Sequence, residues 1–134
     1  MKNFVIVVTI LAGIILSSIL PIAYSDLSGN NSATLKNGVW KTNVGKQVQI
    51  EADVTNGQDR TQPFAYIVQI QDQGGVVVSL SWLTGMLDAG QSLSPAQSWI
   101  PTSSGVYTAQ VFVWAGIDNP DALSPPLAMK ITVT

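Results

Sequence analysis

From residue 38 onward, apolar and polar side chains alternate with a period of two, which predicts strands rather than helices. The clearest stretch is Gln47 to Thr55. Val48, Ile50, Ala52 and Val54 share one face, and Gln47, Gln49, Glu51, Asp53 and Thr55 share the other. Asn56-Gly57 closes this strand, a polar loop runs from Gln58 to Gln62, and a second strand runs from Phe64 to Gln71 with Phe64, Tyr66, Val68 and Ile70 together. The turn signal Asp72-Gln73-Gly74-Gly75 predicts a hairpin into Val76 to Leu83, with Val76, Val78, Leu80 and Trp82 on one side and Val77, Ser79, Ser81 and Leu83 on the other. Thr84-Gly85 and Leu87 to Gly90 read as a corner. Gln91 to Ile100 is a weaker strand that Pro95 interrupts and confines to an edge. Val106 to Ala115 alternates Tyr107, Ala109, Val111 and Val113 against Thr108, Gln110, Phe112 and Trp114, and a loop from Gly116 to Pro126 leads to the last strand, Leu127 to Val133.

With a short strand at Val39 to Thr42, the count is about seven strands separated by Gly and Pro turns. That is the arithmetic of an all-β immunoglobulin-like sandwich over 38–134, with a barrel as the alternative. The expected core is Val48, Ile50, Val54, Phe64, Tyr66, Val68, Val78, Leu80, Trp82, Trp99, Tyr107, Val111, Val113, Met129 and Ile131.

The amino terminus is patterned differently. After Lys2, the run from Phe4 to Leu16 carries no charge, and the apolar stretch to Ala23 is about 20 residues, enough for a helix of about 30 Å that could cross a bilayer. Pro21 and the small residues Ala23 and Ser25 around Tyr24 resemble a signal-peptide cleavage region, so residues 1–25 are expected to be a signal peptide cut after Ser25, with an uncleaved membrane anchor as the rival. Either way Lys2 stays on the cytoplasmic side and the chain beyond Asp26 is exported, to the extracellular space or the cell surface. Residues 26–37 read as a flexible linker. Asn30 begins an Asn-Asn-Ser triplet that fits a glycosylation acceptor in such a segment.

Composition narrows the chemistry. Residues 26–134 hold five basic and eight acidic side chains, a charge of −3 that offers no field for nucleic acid. The chain has no His and no Cys, which removes Ser-His and Cys-His nucleophiles, imidazole or thiolate metal sites and disulfides. Glu51 and Asp53 lie on one wet strand face instead of across a cleft, so they do not make a glycosidase pair. Asp118, Asn119 and Asp121 could offer oxygen ligands to Ca²⁺, but turn chemistry explains them as well, and no catalytic, metal or cofactor site is expected. Ser and Thr are abundant but have no base beside them.

Several of these residues carry a resemblance. Val54-Thr55-Asn56-Gly57, Leu87 with Gly90-Gln91-Ser92, Trp99 with Pro101, and Gly105-Val106-Tyr107 followed by Val111 and Val113 resemble the pattern of CARDB-like and related immunoglobulin-like domains of secreted prokaryotic proteins, over residues 45–133. The resemblance implies a tyrosine corner, in which Tyr107 enters the core ring-first and returns its hydroxyl to backbone near the preceding turn. It implies no catalytic residues and no cofactor. The expected function is a non-catalytic structural or protein-interaction module whose partner is an extracytoplasmic protein or envelope component. A carbohydrate-binding module using an exposed Trp114 or Trp40 is the alternative, and a small hydrolase ranks behind it. The candidate interaction loops are Gln58, Asp59, Arg60 and Gln62 with Trp114, Asp118, Asn119 and Asp121.

Overall fold

The computed structural model describes residues 4–12 and 40–134, the first of these as backbone pairing. Nine strands follow in chain order: β1 (Phe4–Ala12), β2 (Trp40–Thr42), β3 (Val48–Asn56), β4 (Gln62–Gln71), β5 (Val77–Leu87), β6 (Ser92–Leu93), β7 (Ala96–Trp99), β8 (Gly105–Trp114) and β9 (Leu127–Val133). One sheet has β3 between β1 on one side and β6 and β7 on the other. The second has five strands in the order β2-β9-β8-β4-β5. The described residues hold no helix.

Alternation places the core as expected on β3, β4, β8 and β9. Val48, Ile50, Ala52 and Val54 from one sheet face Phe64, Tyr66, Val68, Ile70, Tyr107, Ala109, Val111, Val113, Met129 and Ile131 from the other, all buried. Two contacts tie the sheets together where a disulfide is impossible. The Tyr66 hydroxyl crosses the core to donate to Ile50 O at 2.9 Å. The Trp99 and Tyr107 rings meet edge to face, with centroids 4.9 Å apart. Tyr107 also makes the expected corner, its hydroxyl donating to Ser103 O at 2.9 Å, with Ser103 Oγ 3.0 Å away.

The strand Gln91 to Ile100 divides into β6 and β7 around Ser94-Pro95, and both pieces pair with β3. The Pro95 carbonyl accepts from Ala52 N–H, so the break costs β3 no partner there. Trp40, whose side was open from sequence, is buried where β2 runs parallel to β9.

One expectation is corrected. The hairpin strand continues through Thr84-Gly85 to Leu87, and its faces are the reverse of those expected: Val78, Leu80 and Trp82 point outward, Leu80 and Trp82 being 54% and 52% exposed. The inner face of β5 carries Ser79, Ser81, Leu83, Gly85 and the buried Leu87. The reason lies in the width of the sheets. Five strands oppose a narrower sheet, so the outermost strand sits at its margin against β7, and large neighbours such as Phe64 fill the room beneath. A methyl group built on Gly85 would come within 3.0 Å of the Phe64 ring.

The amino-terminal run contributes the remaining strand. Its first part, Phe4–Ala12, is extended and antiparallel to β3, pairing Phe4 with Asn56 through Ala12 with Val48. Seven of these nine residues are aromatic or β-branched, types that favour strands. The rest of the expected helix, the cleavage region, the linker and Asn30 lie outside the described residues.

Tyr107→Phe should keep the fold and lose about 1–2 kcal/mol in chemical denaturation, because it removes one buried hydroxyl bond and no volume. Alkali provides a second check. Burial first, and the nearby Glu51 charge second, push the Tyr66 phenol well above its ordinary 10.0. The unfolded chain therefore releases this proton first, so stability is flat below that pH and falls above it, and Tyr66→Phe should flatten the fall in a pH series of unfolding midpoints.

Candidate interaction surface

The loop Gln58 to Gln62 joins β3 to β4, and Gly116 to Asp121 leads from β8 toward β9. Register places Ala65, near the start of β4, beside Trp114 at the end of β8, so both loops emerge at one end of the sandwich. The turn after β5 joins them there. Asn56, fully buried at the end of β3, is the hub of this end. Its Nδ2 donates to Arg60 O, Leu87 O and Asp88 O at 2.8–3.1 Å, and its Oδ1 accepts from Gln58 N–H at 3.0 Å. Its backbone pairs with Gln91 O and Gly90 N–H. The sequence marked Asn56 only as a turn residue before Gly57, although the alternation of Val48, Ile50, Ala52 and Val54, carried two residues further, puts it on the buried face.

The first loop is held by its own amides. Gln58 Nε2 donates to Gln62 Oε1 and Arg60 Nε to Gln58 Oε1, each at 3.1 Å, and Thr61 reaches Asp88. Gln62 is only 7% exposed and donates to Pro63 O, so it braces the loop from within, while Asp59 and Arg60 stand exposed.

The second loop folds back on β8. Gly116 and Asn119 exchange backbone bonds, Ala115 N–H donates to Asp121 O, and Asn119 Oδ1 accepts from Asp121 N–H at 3.2 Å. Asn119 is thus engaged in a turn of its own, and Asp118 and Asp121 are exposed beside it. Among the described residues no three His, Cys, Asp or Glu side chains gather as metal ligands. On the wet face of β3, Asp53 accepts from Ser94 Oγ across to the segment between β6 and β7, which gives this carboxylate a structural partner.

The aromatic residues make a second surface, absent from the sequence expectation except for Trp114. Trp82 on β5, Ile67 on β4 and Phe112 on β8 lie side by side in register on the outer face of the five-stranded sheet, and Trp114 tilts against Phe112 with centroids 5.8 Å apart. Ile67 faces outward yet is only 5% exposed, enclosed between its aromatic neighbours. The next row is uncharged, with Gln69 beside Gln110 between Leu80 and Ala128. Alternation alone could have found this row, had β5 been given its correct face.

Comparison with known proteins gives a fold and no relative. No protein-family model matches the chain, and no curated protein matches it in sequence. Among solved structures, the crystal structure of the CARDB domain of the PF1109 protein from Pyrococcus furiosus, in complex with di-metal ions, aligns with a TM-score of 0.55 and 18% identity over 73% of this chain and 83% of that one. The solution NMR structure of the same domain gives 0.55 and 20% identity, covering 73% and 89%. A β-glucosidase from Listeria innocua in complex with isofagomine aligns over 98% of this chain with a TM-score of 0.59 and 15% identity, but the chain spans only 16% of that enzyme's length. A family 2 β-glucuronidase matches over 10% of its length. The chain has a CARDB-like immunoglobulin-like fold.

Proposed function

We propose that the chain is an exported, non-catalytic immunoglobulin-like module that serves as a structural or protein-interaction element at the cell surface. The observation that carries this reading is the fit of its fold to nearly the whole of a CARDB domain, set against the small fraction of each glycosidase that it matches. Around a core without disulfides, the polar groups of the loop end are largely engaged in holding that end together, and the exposed Asp59, Arg60, Asp118 and Asp121 are left for recognition. The partner in this reading is an extracytoplasmic protein or envelope component, with residues 4–23 tethering the module to the membrane if they are not removed and Asn30 open to glycosylation.

A sugar-binding role is a second reading, favoured by one observation. Trp82, Phe112 and Trp114 share an outer face beside uncharged amides, a combination suited to stacking on a sugar ring and bonding its hydroxyls. The hydrolase reading has no comparable support.

The two readings separate in one experiment on the tagged full chain, cross-linked in envelopes of the native host and run beside a glycan array. The module reading predicts a surface partner captured reproducibly, lost when Gln58 to Gln62 are replaced by a Gly-Ser stretch and kept in Trp114→Ala. Glycan binding abolished by Trp114→Ala or Trp82→Ala would replace it with the sugar reading. Intact mass of the same material should give residues 26–134, and recovery of the domain from the cytoplasm would contradict export.

A further inference from the structure

Among the described residues, β5 forms one edge of the five-stranded sheet and pairs with β4 alone. Which of its main-chain groups are free follows from the hairpin. Asp72 N–H donates to Val76 O at 2.9 Å, and the register shift between Ile70 and Gln71 inserts one residue into β5. Ser79, Ser81, Leu83 and Gly85 then turn their N–H and C=O groups toward β4, and Leu80, Trp82, Thr84 and Met86 turn theirs away. The far side of β4 gives the same parity. Val113 O accepts from Leu123 N–H, so Val113 faces away from β4, and its register partner Tyr66 bonds toward β5 at Leu83.

The residues with outward main-chain groups are those with outward side chains. All four are exposed, and Leu80, Trp82 and Met86 are large and apolar. The strand Val77–Leu87 contains no charge and no proline, the usual guards of an open edge. The opposite edge of the same sheet is β2, only three residues long. β5 is thus a strand-length template that selects an uncharged, apolar strand.

We propose that this partner is β5 of a second copy, so that two chains join edge to edge into one ten-stranded sheet. The strand is complementary to itself. A two-fold axis normal to the sheet at Trp82 sets Val77 against Leu87 of the second copy, Leu80 against Thr84 and Trp82 against Trp82, over the full length of both strands. Every residue paired this way through hydrogen bonds has its main-chain groups free, and both outer faces stay on one side. A formal charge of −2 on each chain opposes the encounter only weakly. An edge contact of this kind is smaller than a standard interface, which makes the association reversible. The inference deepens the interaction-module reading by naming a partner class, but it uses a different surface from the loops.

The absence of cysteine makes the test clean, using the full chain in mild detergent. In the proposed pair Leu80 and Thr84 of opposite copies face each other with Cα atoms about 5.5 Å apart, within disulfide range. Like positions are offset by about 14 Å along the strand, beyond it. Oxidising a mixture of Leu80→Cys and Thr84→Cys chains should therefore give several-fold more linked dimer than either chain alone. Thr84→Pro, which removes only an outward N–H, should leave the unfolding midpoint unchanged and shift sedimentation from dimer toward monomer. Equal linking by each chain alone, no linking in the mixture, or dimer unaffected by Thr84→Pro would overturn the proposal. Replacing Gln58 to Gln62 should leave the mixed cross-link intact, so failure of the loop reading and failure of this one are distinguishable.

Discussion

The constraint on which the rest depends is the unequal width of the two sheets. A sandwich core is dry only where both sheets overlap, and here a five-stranded sheet opposes a narrower one built around β3. β4, β8 and β9 lie over the overlap and bury one complete face each. β5 lies at its margin, against the edge strand β7, and only Leu87 at its end is buried. Small residues suffice beneath β5, and its large side chains turn to the outside.

With no disulfide available, attachment between the sheets falls to aromatic groups that carry a polar atom. Tyr66 reaches from β4 to the Ile50 carbonyl, and Trp99 and Tyr107 lock the opposite sheets together while Tyr107 also fastens the turn before β8. These contacts fix the translation of one sheet over the other. That translation in turn sets the loops after β3, β5 and β8 at one end, where Asn56 binds two of them to a single buried amide. The loop surface and the apolar outer face are separate consequences of one packing arrangement.

Much of this was legible from period-two alternation. β3, β4, β8 and β9 have one clearly apolar face, and a strand with one dry face admits only one orientation. The Gly-x-Tyr spacing around Tyr107 was readable because a tyrosine corner is a local motif. β5 was not, since both of its faces contain apolar residues and alternation cannot say whether a neighbouring sheet extends over them. Trp40 could not be placed because three residues carry too little pattern, and the partners of Asn56 could not be read because its acceptors lie 31 and 32 residues away. The amino-terminal run satisfies helix in lipid and strand beside an open edge, and its sequence is compatible with both.

The most direct measurement of this account is a matched pair of tryptophan truncations in equilibrium denaturation. Trp99→Ala removes a buried ring from the contact between sheets and should cost about 3–5 kcal/mol, whereas Trp82→Ala removes an outward ring and should cost about 1 kcal/mol or less. Equal large losses from both would place Trp82 inside and contradict the position of β5 at the margin of the core.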